Sequence, residues 1–170
     1  MALTVEDGTN IPNANTLVSE AYADAYFLLR GISSWAALTT AEKEASIIRS
    51  MDYLSSMSWI GTRTYDDQTL CFPRTFYIFI DGVYKTYSDT IPEDILKAQC
   101  EGALRESIEQ GSLTPDKTRD DYIIMKKIDV IETEWANPSI ISTSFESINK
   151  AIKPYLLSGS SSDLRWFEVG

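Results

Sequence analysis

The side chains that could do chemistry in this sequence are few and far apart. None of the 170 residues is a histidine, so the commonest proton carrier near neutral pH and the commonest transition-metal ligand are both missing. Cys71 and Cys100 have neither a Cys-x-x-Cys spacing nor a recognisable base beside them, which argues against a disulfide framework and against a nucleophilic thiol. There is no Gly-x-Ser-x-Gly elbow. The acid pairs Asp66-Asp67 and Asp120-Asp121 supply carboxylates, but consecutive strand residues point to opposite faces, and no further oxygen ligands follow at calcium-loop spacing. These pairs read as solvated loops. The expectation is a chain with no catalytic, cofactor or metal site, and not an enzyme.

What remains is aromatic. Between Trp59 and Tyr87 the sequence gathers Phe72, Phe76, Tyr77, Phe79 and Tyr84 around Pro73-Arg74 and an Asp81-Gly82 turn signal. Aromatics at this density fill a core, cover a neighbouring protein surface, or stack on nucleic-acid bases. The plain structural reading is that Pro73 fixes the backbone, Asp81-Gly82 makes a turn and Arg74 pairs with a nearby carboxylate. The segment's cations, Arg63, Arg74 and Lys85, are matched by Asp66, Asp67 and Asp81, so it lacks the positive track of an ordinary single-strand groove. Across the chain, 25 acidic residues against 15 basic ones leave a formal charge of -10, which repels polyphosphate. Single-stranded DNA binding is therefore the alternative reading, and packing against other proteins the main one. A second apolar cluster, Leu164, Trp166 and Phe167, follows the linker-like Ser158-Gly159-Ser160-Ser161-Ser162. It either folds back on its own core or anchors a partner.

These groups need elements to position them. With 44% apolar side chains the chain can bury one sizeable core. No N-terminal leader pattern is read, and the longest strongly apolar run, Phe76 to Ile80, is too short to span a bilayer. Two scattered cysteines suit a reducing, cytoplasmic setting, and no membrane role is expected. The turn-rich opening, residues 1–18, reads as an extended arm. Helices are expected from Ser19 to Arg30 and from Thr39 to Met57, the second opened by a Thr39/Glu42 capping box. Two more are expected from Pro92 to Gln110 and from Phe145 to Leu157, with a strand over Ile124 to Val130. The fold class expected is mainly α: a small helical bundle with a short hairpin-like excursion over 70–90 and extended N- and C-terminal arms. The domain expected is 1–157, with 158–170 as a flexible tail.

Leu70-Cys71-Phe72-Pro73-Arg74, then Asp81-Gly82, then Ile91-Pro92-Glu93-Asp94-Ile95, together with Val5-Glu6-Asp7-Gly8, Trp35-Ala36-Ala37-Leu38 and Met51-Asp52-Tyr53-Leu54, resemble one family in order, from about Val5 to Glu134. It is the family of tailed-phage head-to-tail connector or adaptor proteins, often labelled DnaT-like single-stranded DNA-binding. The resemblance implies a homo-oligomeric ring, commonly twelve-fold, in the virion neck, assembled in the host cytoplasm. It further implies contact with the portal and with a tail or head-closure protein, while packaged DNA passes through without specific binding. On that reading Leu164, Trp166 and Phe167 dock on the portal or another partner. Phe72, Arg74, Phe76, Tyr77, Phe79 and Tyr84 meet a neighbouring subunit or the next ring.

Overall fold

A computed structural model of the chain describes residues 2–80, 82–115, 123–127, 132–135 and 145–157. Helix α1 spans Glu20–Leu28, and the Ser19 side chain caps it by accepting from the Tyr22 amide. A single turn, α2 (Ser33–Ala36), leads to α3 (Thr40–Ser55). There Thr39 and Glu42 close the expected capping box: the Thr39 side chain accepts from the Glu42 amide and the Glu42 carboxylate from the Thr39 amide. Helix α4 (Glu93–Ile108) follows Pro92, which has no amide to leave unpaired at a helix start. Helix α5 (Glu146–Ile152) runs into a 3-10 turn, Lys153–Tyr155.

The strands correct the expectation of a mainly helical bundle; the fold is mixed α/β. Strands β1 (Thr62–Arg63), β2 (Arg74–Ile80) and β3 (Val83–Tyr87) form one antiparallel sheet in that order. Strands β4 (Ile123–Lys127) and β5 (Glu132–Trp135) form a second antiparallel pair. The sequence pointed to a strand near β4 but offered no partner for it. The partner, Glu-Thr-Glu-Trp, lacks the apolar alternation that marks a half-buried strand.

Helices α3 and α4 pack on each other at the centre, with two apolar clusters around them. One joins Met51, Leu54, Ile95, Ile148 and Ile152 to Trp59, Phe72, Phe76 and Tyr155. The other joins Ala23, Phe27, Trp35, Ile47, Cys100 and Ala103. Fully buried Gln99 ties the pieces together: its amide nitrogen donates to Thr16 Oγ1 (2.8 Å) and the Ile47 carbonyl (3.2 Å), and its oxygen accepts from the Leu17 amide (3.1 Å). An amide in that position costs little because its donors and acceptor are all used.

The N-terminal residues form no extended arm. Val5 bridges to Thr16, and the Glu6 carboxylate, 2% exposed, accepts from the amides of Gly8 (2.8 Å), Asn10 (2.9 Å) and Ile11 (2.8 Å). The turn formers wrap this buried anion, whose charge the three amide dipoles stabilise. Leu17 and Val18, which follow Thr16, are buried in the core. The C-terminal arm lies outside the described residues.

Candidate nucleic-acid interface

The β2–β3 hairpin arises from alternation. Arg-Thr-Phe-Tyr-Ile-Phe-Ile and Val-Tyr-Lys-Thr-Tyr are joined by two residues, with Gly82 at φ +77°, a backbone angle that favours glycine in tight hairpin turns. Asp81 itself lies outside the described residues. The register pairs Phe76 with Tyr87, Ile78 with Lys85, Phe79 with Tyr84 and Ile80 with Val83. Period-two geometry then sorts the side chains: Phe76, Ile78 and Ile80 share one face, and Thr75, Tyr77 and Phe79 the other.

The inner face is part of the core. Phe76 is buried and stacks on Tyr87, with ring centres 4.9 Å apart, and the Tyr155 ring meets it edge-on at 6.0 Å. The Tyr155 hydroxyl donates to Asp94 Oδ2 (3.0 Å), and burial, followed by that bond, holds its phenol well above the usual range. The outer face is open. Tyr77 is 78% exposed, Phe79 59% and Tyr84 81%, and the Phe79 and Tyr84 rings lie 4.7 Å apart, tilted by 47°.

Below the hairpin, Arg74 acts as a staple. Nε donates to the Ile60 carbonyl (2.8 Å), Nη1 to Cys71 (3.4 Å), and Nη2 to Gly61 (2.6 Å) and Trp59 (3.3 Å). Its partners are backbone carbonyls rather than the carboxylate that the sequence suggested. Gly61 is required here, because a Cβ would sit 2.2 Å from the Thr75 carbonyl oxygen and its φ is +69°. Arg63 likewise donates to the Gln68 carbonyl (3.1 Å). Lys85, opposite Ile78 on β3, is exposed.

The aromatic residues singled out in the sequence thus divide. Phe72, 1% exposed, and Phe76 are core residues, and Phe72 packs edge-on against Trp59 at 5.0 Å. Arg74 is structural. Tyr77, Phe79 and Tyr84 stand together in solvent, beside Thr75 and Thr86, which the sequence reading passed over although strict alternation places them there. Leu164, Trp166 and Phe167 lie outside the described residues, as do Asp120 and Asp121. Asp67 accepts from the Asn10 side-chain amide (2.8 Å) and so braces the N-terminal loop.

The reactive groups are muted. Burial pushes the Cys71 thiol up to about 11 and the Cys100 thiol up to about 12, so both are protonated near neutral pH. Among the described residues no group of three or more Cys, Asp or Glu is arranged to hold a metal ion, and no described helix is long and apolar enough to cross a membrane.

Among curated proteins and among solved structures, no match is found. A family model described as "Putative DnaT-like ssDNA binding protein" matches residues 1–167. That description concerns DNA, and it overturns the head-to-tail connector expectation along with the portal, the tail or head-closure protein, the oligomeric ring and the passive relation to DNA. Of the two labels attached to the sequence resemblance, the chain belongs to the family bearing the second, the DnaT-like single-stranded DNA-binding proteins.

Proposed function

We propose that this chain binds single-stranded DNA without sequence preference, using the outer face of the β2–β3 hairpin as a stacking platform, and that it carries out no catalysis. The observation that carries the reading is the set of three solvent-exposed aromatics on one face of a two-stranded ribbon. Large aromatic rings left in water at such exposure are costly unless a partner covers them. Every base has a π-face, so stacking tolerates any sequence, and each base stacked on such a ring contributes about 1–3 kcal/mol. The family membership supports the same ligand.

The acidic composition shapes the mode of binding. With a formal charge of -10 the chain gains little from phosphates, and the guanidiniums of Arg63 and Arg74 are engaged by backbone carbonyls. Affinity then comes from base stacking, with Lys85 as the cation nearest the platform in sequence. Duplex DNA, whose bases are already stacked on one another, is a poor ligand for such a surface. The test is fluorescence anisotropy of a labelled oligo-dT at low salt, with the same sequence as a duplex for comparison. Saturable binding of the single strand, and much weaker binding of the duplex, is expected. No binding, or a preference for duplex, contradicts the proposal.

A further inference from the structure

We infer that the outer face of the hairpin holds two stacking stations, Tyr77 and the paired rings of Phe79 and Tyr84, whose spacing favours strands of weakly self-stacking bases, so that pyrimidine-rich single-stranded DNA is the preferred ligand. The inference rests on the DNA-binding reading and names the kind of strand that reading takes.

The number of stations comes from the register. Tyr77 faces Thr86 across the ribbon, and Phe79 faces Tyr84. The Phe79 and Tyr84 ring centres lie 4.7 Å apart. A base held between two rings needs about 6.8 Å, twice the rise of about 3.4 Å per base in a stacked strand. No base enters that pair, which therefore serves as one station. Tyr77, with a threonine opposite, is the other.

The spacing comes from the strand. Tyr77 and Phe79 are two residues apart on β2, which is about 6.8 Å at the antiparallel rise of about 3.4 Å per residue. Bases seated on neighbouring stations are thus twice as far apart as bases stacked on one another. A ring also reaches a base only through a face that the neighbouring base has left. Every seated base has parted from a neighbour, and the strand loses that much of its own stacking.

The face reads nothing else. Thr75, Tyr77, Phe79, Tyr84 and Thr86 lie on it, and none of them is an Asn, Gln or Arg, whose paired groups recognise a base edge in bidentate fashion. Arg63 and Arg74 donate to backbone carbonyls, and Lys85, opposite Ile78, belongs to the other face, so phosphate contacts do not mask the difference between strands. Every base is accepted, and the ranking falls to stacking strength and backbone flexibility. Adenines stack strongly on one another and thymines weakly. A run of thymines therefore reaches both stations at the smaller cost.

The experiment measures, by fluorescence anisotropy at low salt, the affinity of the full chain for oligo-dT, oligo-dA and an alternating dA-dC strand of equal length. Oligo-dT is expected to bind about three- to ten-fold tighter than oligo-dA. The alternating strand keeps adenines without adenine-on-adenine stacks, and is expected to bind closer to oligo-dT than to oligo-dA. Equal affinities, or tighter binding of oligo-dA, overturn the inference. So does an alternating strand no better than oligo-dA, which would mean that purines are excluded by size. Tyr77→Ala leaves one station and no imposed spacing. Tyr77 is 78% exposed, so the fold is expected to survive, as melting temperature checks, while the oligo-dT to oligo-dA affinity ratio falls toward one. An unchanged ratio in the folded variant overturns the two stations. If no strand binds the parent protein, the DNA reading has failed and the inference with it; if oligo-dT binds without preference, the inference alone falls.

Discussion

The two faces of one hairpin carry the same kind of side chain and do opposite work. On the inner face Phe76 is 5% exposed and held between Tyr87 and Tyr155. One residue along the same strand, Tyr77 is 78% exposed and meets solvent. Aromatic rings stand on both sides; register separates them, because a strand alternates its side chains with period two. An aromatic run is therefore neither core nor interface as a whole, and here each alternate ring belongs to a different task.

Substitutions can break this contrast. Phe76→Ala should cost about 3–5 kcal/mol of stability by opening a cavity between Tyr87 and Tyr155, read by denaturant unfolding. A loss below 1 kcal/mol would mean that the inner face is not core. Arg74→Met should cost about 1.5–3 kcal/mol through lost charge-assisted bonds to the carbonyls of residues 59–61 and 71. Its effect on DNA affinity per folded molecule should be small, since the guanidinium is a staple rather than a phosphate contact; a large selective loss of binding would reverse that assignment. Phe79→Ala should do the opposite, weakening oligo-dT binding by about 5- to 150-fold while shifting stability by no more than about 0.5 kcal/mol.

Alkaline pH addresses the inner side alone. Cys71 belongs to the cluster under the hairpin, and burial raises its thiol to about 11 from an ordinary 9. Below the unfolded value both states hold the proton and no stability is lost. Above about pH 9 the unfolded chain releases the proton first, so stability falls by about 1.4 kcal/mol per pH unit until the pH passes the folded value. Cys71→Ala should remove that share of the slope in unfolding curves measured from pH 8 to 11, and an unchanged slope would place the thiol in contact with water. The smallest effect is that of salt. Lys85, opposite Ile78, belongs to the other face, so with no cation of β3 on the platform oligo-dT affinity should fall by less than about threefold between 50 and 200 mM salt, against a far steeper loss for a binder with many phosphate contacts.

Local signals in the sequence carried through to structure. The Thr39/Glu42 box, the Ser19 cap and the start of α4 after Pro92 each depend on neighbours within four residues, and each is where the pattern placed it. The hairpin turn was equally legible. What failed was nonlocal. The partner for β4 is Glu132–Trp135, and nothing in that tetrapeptide announces a strand. The opening residues were recognised as turn formers, but their destination depends on Glu6, and a carboxylate that collects three amides looks in sequence like any solvated acid. Arg74 was expected to find a carboxylate, yet its guanidinium donates to four backbone carbonyls that the fold brings around it.

The functional error has a similar root. Net charge averages over the whole chain, and -10 argued against nucleic acid as a ligand. Base stacking, as proposed for Tyr77, Phe79 and Tyr84, acts over a few ångströms, where the average says little. Those three residues stand in the sequence beside Phe72 and Phe76, and alternation along β2 alone separates Tyr77 and Phe79 from Phe76. The resemblance over Val5 to Glu134 pointed to a family with two labels, and the weight placed on charge favoured the wrong one.

The central claim is that the exposed rings, rather than any basic track, hold the DNA. The most direct measurement is oligo-dT affinity of the triple variant Tyr77→Ala/Phe79→Ala/Tyr84→Ala beside the parent, with melting temperatures recorded for both. The account predicts that binding is abolished while the melting temperature stays within a few degrees. Retained affinity in a folded triple variant would contradict it.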